Sequence, residues 1–78
     1  PGAHTLLGGE ALKLWHAHAI DGQAPAGQVV RADADGVVVG SGSGLVVLTQ
    51  LQAAGGKRLA ARDFIAGRPA LAGTILGA

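Results

Sequence analysis

The stretch QVVRADADGVVVGSGSGLVVLTQLQ, residues 28–52, carries three short apolar runs separated by two turn sequences. The runs occupy residues 28–33, 37–41 and 45–52. Their valines and leucines favour pleated, packed strand surfaces. Asp35-Gly36 is a hairpin signal because this pair tolerates a positive φ, and a glycine-serine sequence fills residues 40–44. The stretch therefore predicts three consecutive antiparallel strands.

The flanking segments extend this pattern. On the N-terminal side, KLWHAHAI at residues 13–20 is a further apolar run, which we expect to form a strand. On the C-terminal side, LAARDFIA at residues 59–66 is alanine-rich and ends at Gly67, a suitable C-cap, so a short helix is expected near residues 60–66. Residues 71–78 are expected to add a final short strand.

These elements predict an all-β fold with one short helix, arranged as a small antiparallel barrel that is partly open. Closure of the sheet is favoured because it removes exposed strand edges. The 78 residues include only 22 large apolar side chains, enough for a single small domain over residues 1–78. A substrate pocket with converging catalytic groups needs a larger scaffold, so a fragment or module is favoured over a complete enzyme.

Residues 36–56 carry no charge, which raises the question of a membrane span. The glycine density at 40–44 favours two strands joined by a turn instead. The first nine residues have no basic region ahead of an apolar stretch, so no signal peptide is expected. The absence of cysteine excludes disulfides and thiolate metal sites and fits a cytoplasmic location.

Charge is unevenly distributed along the chain. Residues 1–39 hold two basic and four acidic side chains, whereas residues 40–78 hold four basic and one acidic. The four C-terminal cations are Lys57, Arg58, Arg62 and Arg68. Such a concentration indicates an anionic partner, and a helix that starts early would place Arg58 and Arg62 on one face. On charge alone, the alternative is a solvated helix face paired with Asp63.

Other candidate motifs predict no chemistry. His16 and His18 have the spacing of metal ligands on a strand but lack a third partner. Asp33 and Asp35 lack the remaining ligands of a calcium loop, and the glycine-rich residues 40–44 precede a strand rather than a helix. We therefore expect no catalytic, cofactor-binding or metal-binding residue in this chain.

Aromatic side chains suited to base stacking are scarce. Trp15, Phe64 and the valines are expected to lie in the core. If the cations bind nucleic acid, contact with the phosphate backbone is therefore favoured over stacking on single-stranded bases.

Several segments, taken in order, match a known family. They are Gly9-Glu10-Ala11-Leu12-Lys13-Leu14-Trp15, Pro25-Ala26-Gly27, Asp35-Gly36, Gly42-Ser43-Gly44, Leu51-Gln52 with Gly55, Lys57 and Arg58, Asp63-Phe64-Ile65 with Gly67, and Gly73-Thr74-Ile75-Leu76-Gly77. Across nearly the whole chain, the sequence resembles the C-terminal domain of methionyl-tRNA formyltransferases. It departs from the family pattern at Gly56, where a lysine is usual, and at Ala60, where a capping serine is usual.

The resemblance implies an oligonucleotide-binding-like Greek-key barrel that belongs to a larger enzyme whose catalytic N-terminal domain is absent here. That enzyme transfers a formyl group from 10-formyltetrahydrofolate to methionyl initiator tRNA. The implied partners are initiator tRNA and the catalytic domain, with no membrane and a monomeric state. The implied tRNA-binding residues are Lys57, Arg58, Arg62 and Arg68, with Lys13 as a weaker addition.

Two other functions remain open from the residues. The same barrel could serve another folate-linked formyltransferase or hydrolase in a structural role. Alternatively, the uncharged residues 36–56 could form the face of a stand-alone protein-interaction module.

Overall fold

The computed structural model describes residues 3–68 and 71–77. Within these ranges the chain forms an antiparallel sheet and one short helix. The elements are β1 (Ala3–Leu7), β2 (Glu10–Ile20), β3 (Val29–Asp33), β4 (Gly36–Gly40), β5 (Leu45–Ala53), β6 (Leu59–Ala60) and α1 (Ala61–Ala66). The three strands predicted between residues 28 and 52 are thus confirmed, as is the short helix.

The strands are ordered β1-β2-β5-β4-β3, and β6 adds to β5. Strand β5 pairs with β2 along one side, and along the other side with β4 and then with β6. Because β2 lies beside β5 rather than β3, strands β2 to β5 form a Greek key. The sheet is open, and the predicted fold class is confirmed.

A β1–β2 hairpin at the start of the chain was not anticipated. Leu7 lies opposite Glu10, and Gly8 and Gly9 form the two-residue turn between them. Both glycines have positive φ values, 60° and 85°, as a tight hairpin turn of this length requires. The hairpin supplies β1 and extends β2 three residues earlier than the predicted start at Lys13.

The prediction of a final strand in the tail is wrong for the described residues 71–77. Gly73 and Thr74 exchange backbone hydrogen bonds with Val29, and the amide of Gly77 donates to Leu6 in β1. The segment forms one isolated bridge, between Gln28 and Ile75, and otherwise consists of turns. Its glycines interrupt regular pairing, so the tail connects the start of β3 to β1 without becoming a strand.

The core lies between the inner face of the sheet, the helix and the tail. Phe64, fully buried at 1% exposure, brings the helix onto the sheet. The remaining core residues are Leu12, Val29, Val37, Val39, Leu48, Leu51, Ala61, Leu71 and Leu76. Val38 and Val47 are also buried, and Val46 packs against the core. Two predicted core residues are more exposed. Trp15 is only half-buried, and Val30 lies outside the core with 43% of its surface exposed.

The helix begins later than the pattern at residues 59–66 suggested. Leu59 and Ala60 pair with Leu51 and Gln50 of β5, and the backbone at Ala60 is extended, with φ −64° and ψ 153°. Arg58 therefore precedes the helix by three residues. The predicted helical i,i+4 pair of Arg58 and Arg62 is wrong, because strand pairing extends the chain between them.

Within the described residues, no helix is long and apolar enough to cross a membrane. The uncharged stretch at residues 36–56 instead provides the two inner strands β4 and β5. Strand β4 is buried along its whole length, so little of this stretch is available as an interaction face.

Candidate nucleic-acid interface

A polar row crosses the outer face of the sheet where three strands meet. His4 in β1 lies opposite Lys13 in β2, and Lys13 lies opposite Gln52 in β5. The neighbouring residues Leu12 and Leu14 pack in or against the core. Because strand side chains alternate between faces, Lys13 and its partners point away from the core.

A β-bulge follows directly in β2. Leu14 lies opposite Leu51 and His16 opposite Gln50, so Trp15 is an extra residue without a pairing partner of its own. Bulges bend a strand and redirect side chains. The alternation that turns Leu12 and Leu14 toward the core places Trp15 beside Lys13 on the outer face, which is the physical reason why the sequence-based assignment of Trp15 to the core is wrong.

Two cations lie over the indole ring of Trp15. The Lys13 Nζ is 4.6 Å from the ring centroid, and the guanidinium carbon of Arg58 is 4.8 Å from it. Both distances are within the range of a cation–π interaction. The Trp15 ring therefore brings together two predicted site residues that are 45 positions apart, Lys13 from the strand and Arg58 from the loop after β5.

Gln52 connects the indole to that loop. The Trp15 Nε1–H donates to Gln52 Oε1 at 2.8 Å, and Gln52 Nε2–H donates to the backbone oxygen of Gly56 at 2.9 Å. The amide of Gly56 in turn donates to the carbonyl of Ala53 at 2.9 Å. Gly56, just before Lys57 and Arg58, is thus held to β5 through both its amide and its carbonyl.

The remaining predicted cations are placed differently. Lys57 is exposed in the same loop, next to Arg58, and Arg62 is exposed in the first turn of α1. Arg68 follows α1 and is half-buried. Its Nη1 donates to the carbonyl of Phe64 at 3.1 Å, and its guanidinium carbon lies 4.0 Å from the Phe64 ring centroid.

Two adjoining clefts lie between Lys13 and Arg68. Lys13 and Gln52 line a cleft of about 310 Å³, and Arg68 lines a second of about 220 Å³. Both clefts are bounded by Ala11, Ala53 and Ala54. Ala11 lies in β2, Ala53 ends β5, and Ala54 lies in the turn after β5. The small alanines leave an open surface between the two cations. Glu10 is an acidic group on the Arg68 side.

The cations of this surface are not neutralised by ion pairs. Among residues 3–68 and 71–77, the one ion pair joins Arg31 Nε and Asp33 Oδ2 at 3.1 Å, in and beside the β3–β4 hairpin. Asp63 forms no ion pair with Arg62 or with any other described cation. The positive charge of Lys13, Lys57, Arg58 and Arg62 is therefore available to an external anion. We call these four residues with Arg68 the basic surface.

The other motifs behave as ordinary surface or turn residues. His16 and His18 are exposed in β2, and no cluster of three or more potential metal ligands occurs among the described residues. The glycine-serine segment forms a turn in which the Ser41 amide and hydroxyl both contact the carbonyl of Gly44.

Sequence reasoning missed Gln52 as a functional candidate. Its role depends on a register that pairs Lys13 with Gln52 across 39 positions of chain, which the hydrophobic pattern does not encode. The available signal was the alternation of Gln50, Leu51 and Gln52, which places two amides on the outer face of a strand.

Comparison with known proteins identifies the family. A family model described as formyl transferase, C-terminal domain, matches residues 1–69. This chain belongs to that family. The formyl transferase C-terminal domain accounts for every strand and for the helix, and the family resemblance inferred from the sequence is confirmed.

Three curated relatives show which proteins this domain is similar to. A methionyl-tRNA formyltransferase of Chromobacterium violaceum is 68% identical over 77 residues, which cover 99% of this chain and 25% of the relative. Proteins of the same name from Thiobacillus denitrificans and Methylobacillus flagellatus are 51% and 44% identical, over 100% and 99% of this chain and 26% and 25% of their own lengths. The chain thus spans about a quarter of the length of these relatives.

Proposed function

We propose that this chain is the tRNA-binding C-terminal domain of a methionyl-tRNA formyltransferase. The observation that carries the proposal is the basic surface, whose exposed cations are without ion-pair partners while the family match covers residues 1–69. The relatives act on methionyl-tRNA by name, and a tRNA backbone presents closely spaced phosphates.

The rest of the enzyme supplies the chemistry. The relatives are about four times as long as this chain, and the missing length is proposed to contain the catalytic domain. That domain binds 10-formyltetrahydrofolate and transfers its formyl group to the amino group of methionyl initiator tRNA in the cytoplasm. The domain described here provides no reacting group, and its contribution is to hold the RNA.

The mode of binding follows from the geometry. Lys13 and Arg58 are held around Trp15, Lys57 adjoins Arg58 in the loop, Arg62 lies in the first turn of α1, and Arg68 follows the helix. Lysine and arginine heads spread over one surface neutralise phosphates without reading base identity. Few phosphates are contacted, so binding by the domain alone is weak, and because the contacts are ionic the binding weakens as the salt concentration rises.

Replacement of Arg58 and Arg62 by alanine tests the proposal. Binding of a labelled initiator tRNA transcript to the double variant is expected to be more than tenfold weaker at about 50 mM salt, since counterion release makes each phosphate contact worth roughly tenfold in affinity at that salt concentration. Arg31→Ala is the matched control, because Arg31 is an exposed arginine paired with Asp33 away from this surface. Unchanged binding by the Arg58/Arg62 variant would rule out the proposed role.

A further inference from the structure

We propose that Trp15 and Gln52 act together as a positioning pair, which holds Lys13 and Arg58 ready to contact the phosphodiester backbone. This inference rests on the proposed nucleic-acid-binding function and assigns a role in it to two residues that carry no charge. The pair lies on the outer face of β2 and β5, away from the core, so the needs of the core do not account for it.

The first part of the argument is the ring itself. An isolated lysine or arginine on a surface samples many rotamers, and ordering it against a phosphate costs conformational entropy. The Trp15 indole attracts Lys13 Nζ and the Arg58 guanidinium to within 4.6 and 4.8 Å of its centroid. Part of the ordering cost is therefore met before the RNA arrives.

The second part is the loop that carries Arg58. It follows two successive glycines, Gly55 and Gly56, and Gly55 has a positive φ of 75°. Such a segment is flexible unless it is held. Gln52 holds it by accepting from Trp15 Nε1–H and donating to the Gly56 carbonyl. One amide side chain thus fixes both the orientation of the ring and the position of the loop.

The arrangement also suggests why Trp15 is a positioning residue rather than a stacking platform. Its indole is half-buried, is engaged by two cations and has its N–H bonded within the protein. Phosphates are attracted to the cations around the ring. The chemistry recognised is therefore a polyanionic backbone and not an unstacked base.

A double-mutant cycle between Gln52→Leu and Arg58→Ala tests this role with an initiator tRNA transcript as the probe. Gln52→Leu keeps the size of the side chain and removes both hydrogen bonds. We expect it to weaken binding about threefold to fivefold, the equivalent of one hydrogen-bonded contact. In the Arg58→Ala background, the same change should have little further effect, because the loop no longer carries the cation that Gln52 positions.

Two further variants separate positioning from general stability. Gln50→Leu removes an amide two residues away on the same strand, which has no side-chain hydrogen bond among the described residues, and should bind tRNA like the unmodified chain. Trp15→Phe keeps an aromatic ring but loses the N–H donor, and it should show the same coupling to Arg58→Ala. It replaces Gln52→Leu in the cycle if that variant fails to fold.

The outcomes are distinct. If Arg58→Ala weakens binding but Gln52→Leu and Trp15→Phe do not, the positioning role is wrong and the proposed function stands. The positioning role is also wrong if the losses from Gln52→Leu and Arg58→Ala simply multiply. If Arg58→Ala itself binds tRNA as tightly as the unmodified chain, the contact of Arg58 with phosphate, and with it the proposed function at this site, is overturned.

Discussion

The indole N–H of Trp15 donates a hydrogen bond of 2.8 Å to the side-chain oxygen of Gln52, joining residues 37 positions apart on strands β2 and β5. The relationship exists because Trp15 and Lys13 share the outer face of β2, and the strand register places Gln52 opposite Lys13 on that face. It places an aromatic ring between the strand that carries Lys13 and the loop that carries Arg58. Lys13 and Arg58 therefore form this part of the surface together, through the ring that both contact.

Tryptophan fluorescence should report on RNA binding directly, because Trp15 is the single tryptophan of the chain. Phosphates that approach Lys13 and Arg58 change the electric field at the indole. Titration with the tRNA transcript should therefore produce a saturable change in emission, and the change should be smaller for Arg58→Ala. Binding detected with labelled RNA but accompanied by constant emission would place the RNA on another face.

Ala60→Ser should stabilise the domain by about 1 kcal/mol, because the N-cap of α1 at Ala60 has no side-chain hydrogen bond. The extended backbone at Ala60 suits a capping serine, whose hydroxyl accepts from an amide in the first turn. Ala66→Ser, at the opposite end of the same helix, cannot cap the N-terminus and serves as the control. The free energy of unfolding from urea titration gives the comparison, and equal values for the two variants would contradict the prediction.

Two glycine substitutions should differ in their effect on the free energy of unfolding. Gly9→Ala should lower the free energy of unfolding by about 1 kcal/mol, because Gly9 has a φ of 85° in the β1–β2 turn. Gly67→Ala should be neutral or slightly stabilising, since Gly67 has a φ of −96° and open space around its α-carbon. Thermal unfolding of the two variants measures the difference. A loss at Gly67 equal to that at Gly9 would mean that backbone strain is not the cause.

Most of the central fold could be predicted from local sequence. The Asp35-Gly36 pair and the glycines at residues 40–44 marked the turns between β3, β4 and β5 correctly. Gly8-Gly9 is a similar turn signal, but the prediction did not use it, and the β1–β2 hairpin was therefore not predicted. Helix α1 began later than its pattern indicated because residues 59 and 60 pair with β5, which is a tertiary effect.

The candidate site was less accessible to prediction. The cations were evident from charge alone, whereas their grouping depends on the register of β2 against β5. The period-two alternation of β2 puts Lys13 and Trp15 on one face, yet Trp15 was assigned to the core, and no short segment indicates that Gln52 lies beside them. Long-range pairing and bulges are properties of the folded sheet and not of any short segment.

The most direct test of the central claim is the salt dependence of tRNA binding by the chain. The logarithm of the association constant should fall linearly with the logarithm of salt concentration between roughly 50 and 200 mM, and the slope should decrease by about 0.9 for each phosphate contact removed. Arg58→Ala should reduce the slope by about one such step, while Arg31→Ala leaves it unchanged. A slope that is identical in the unmodified chain and in Arg58→Ala would contradict phosphate contact at this surface.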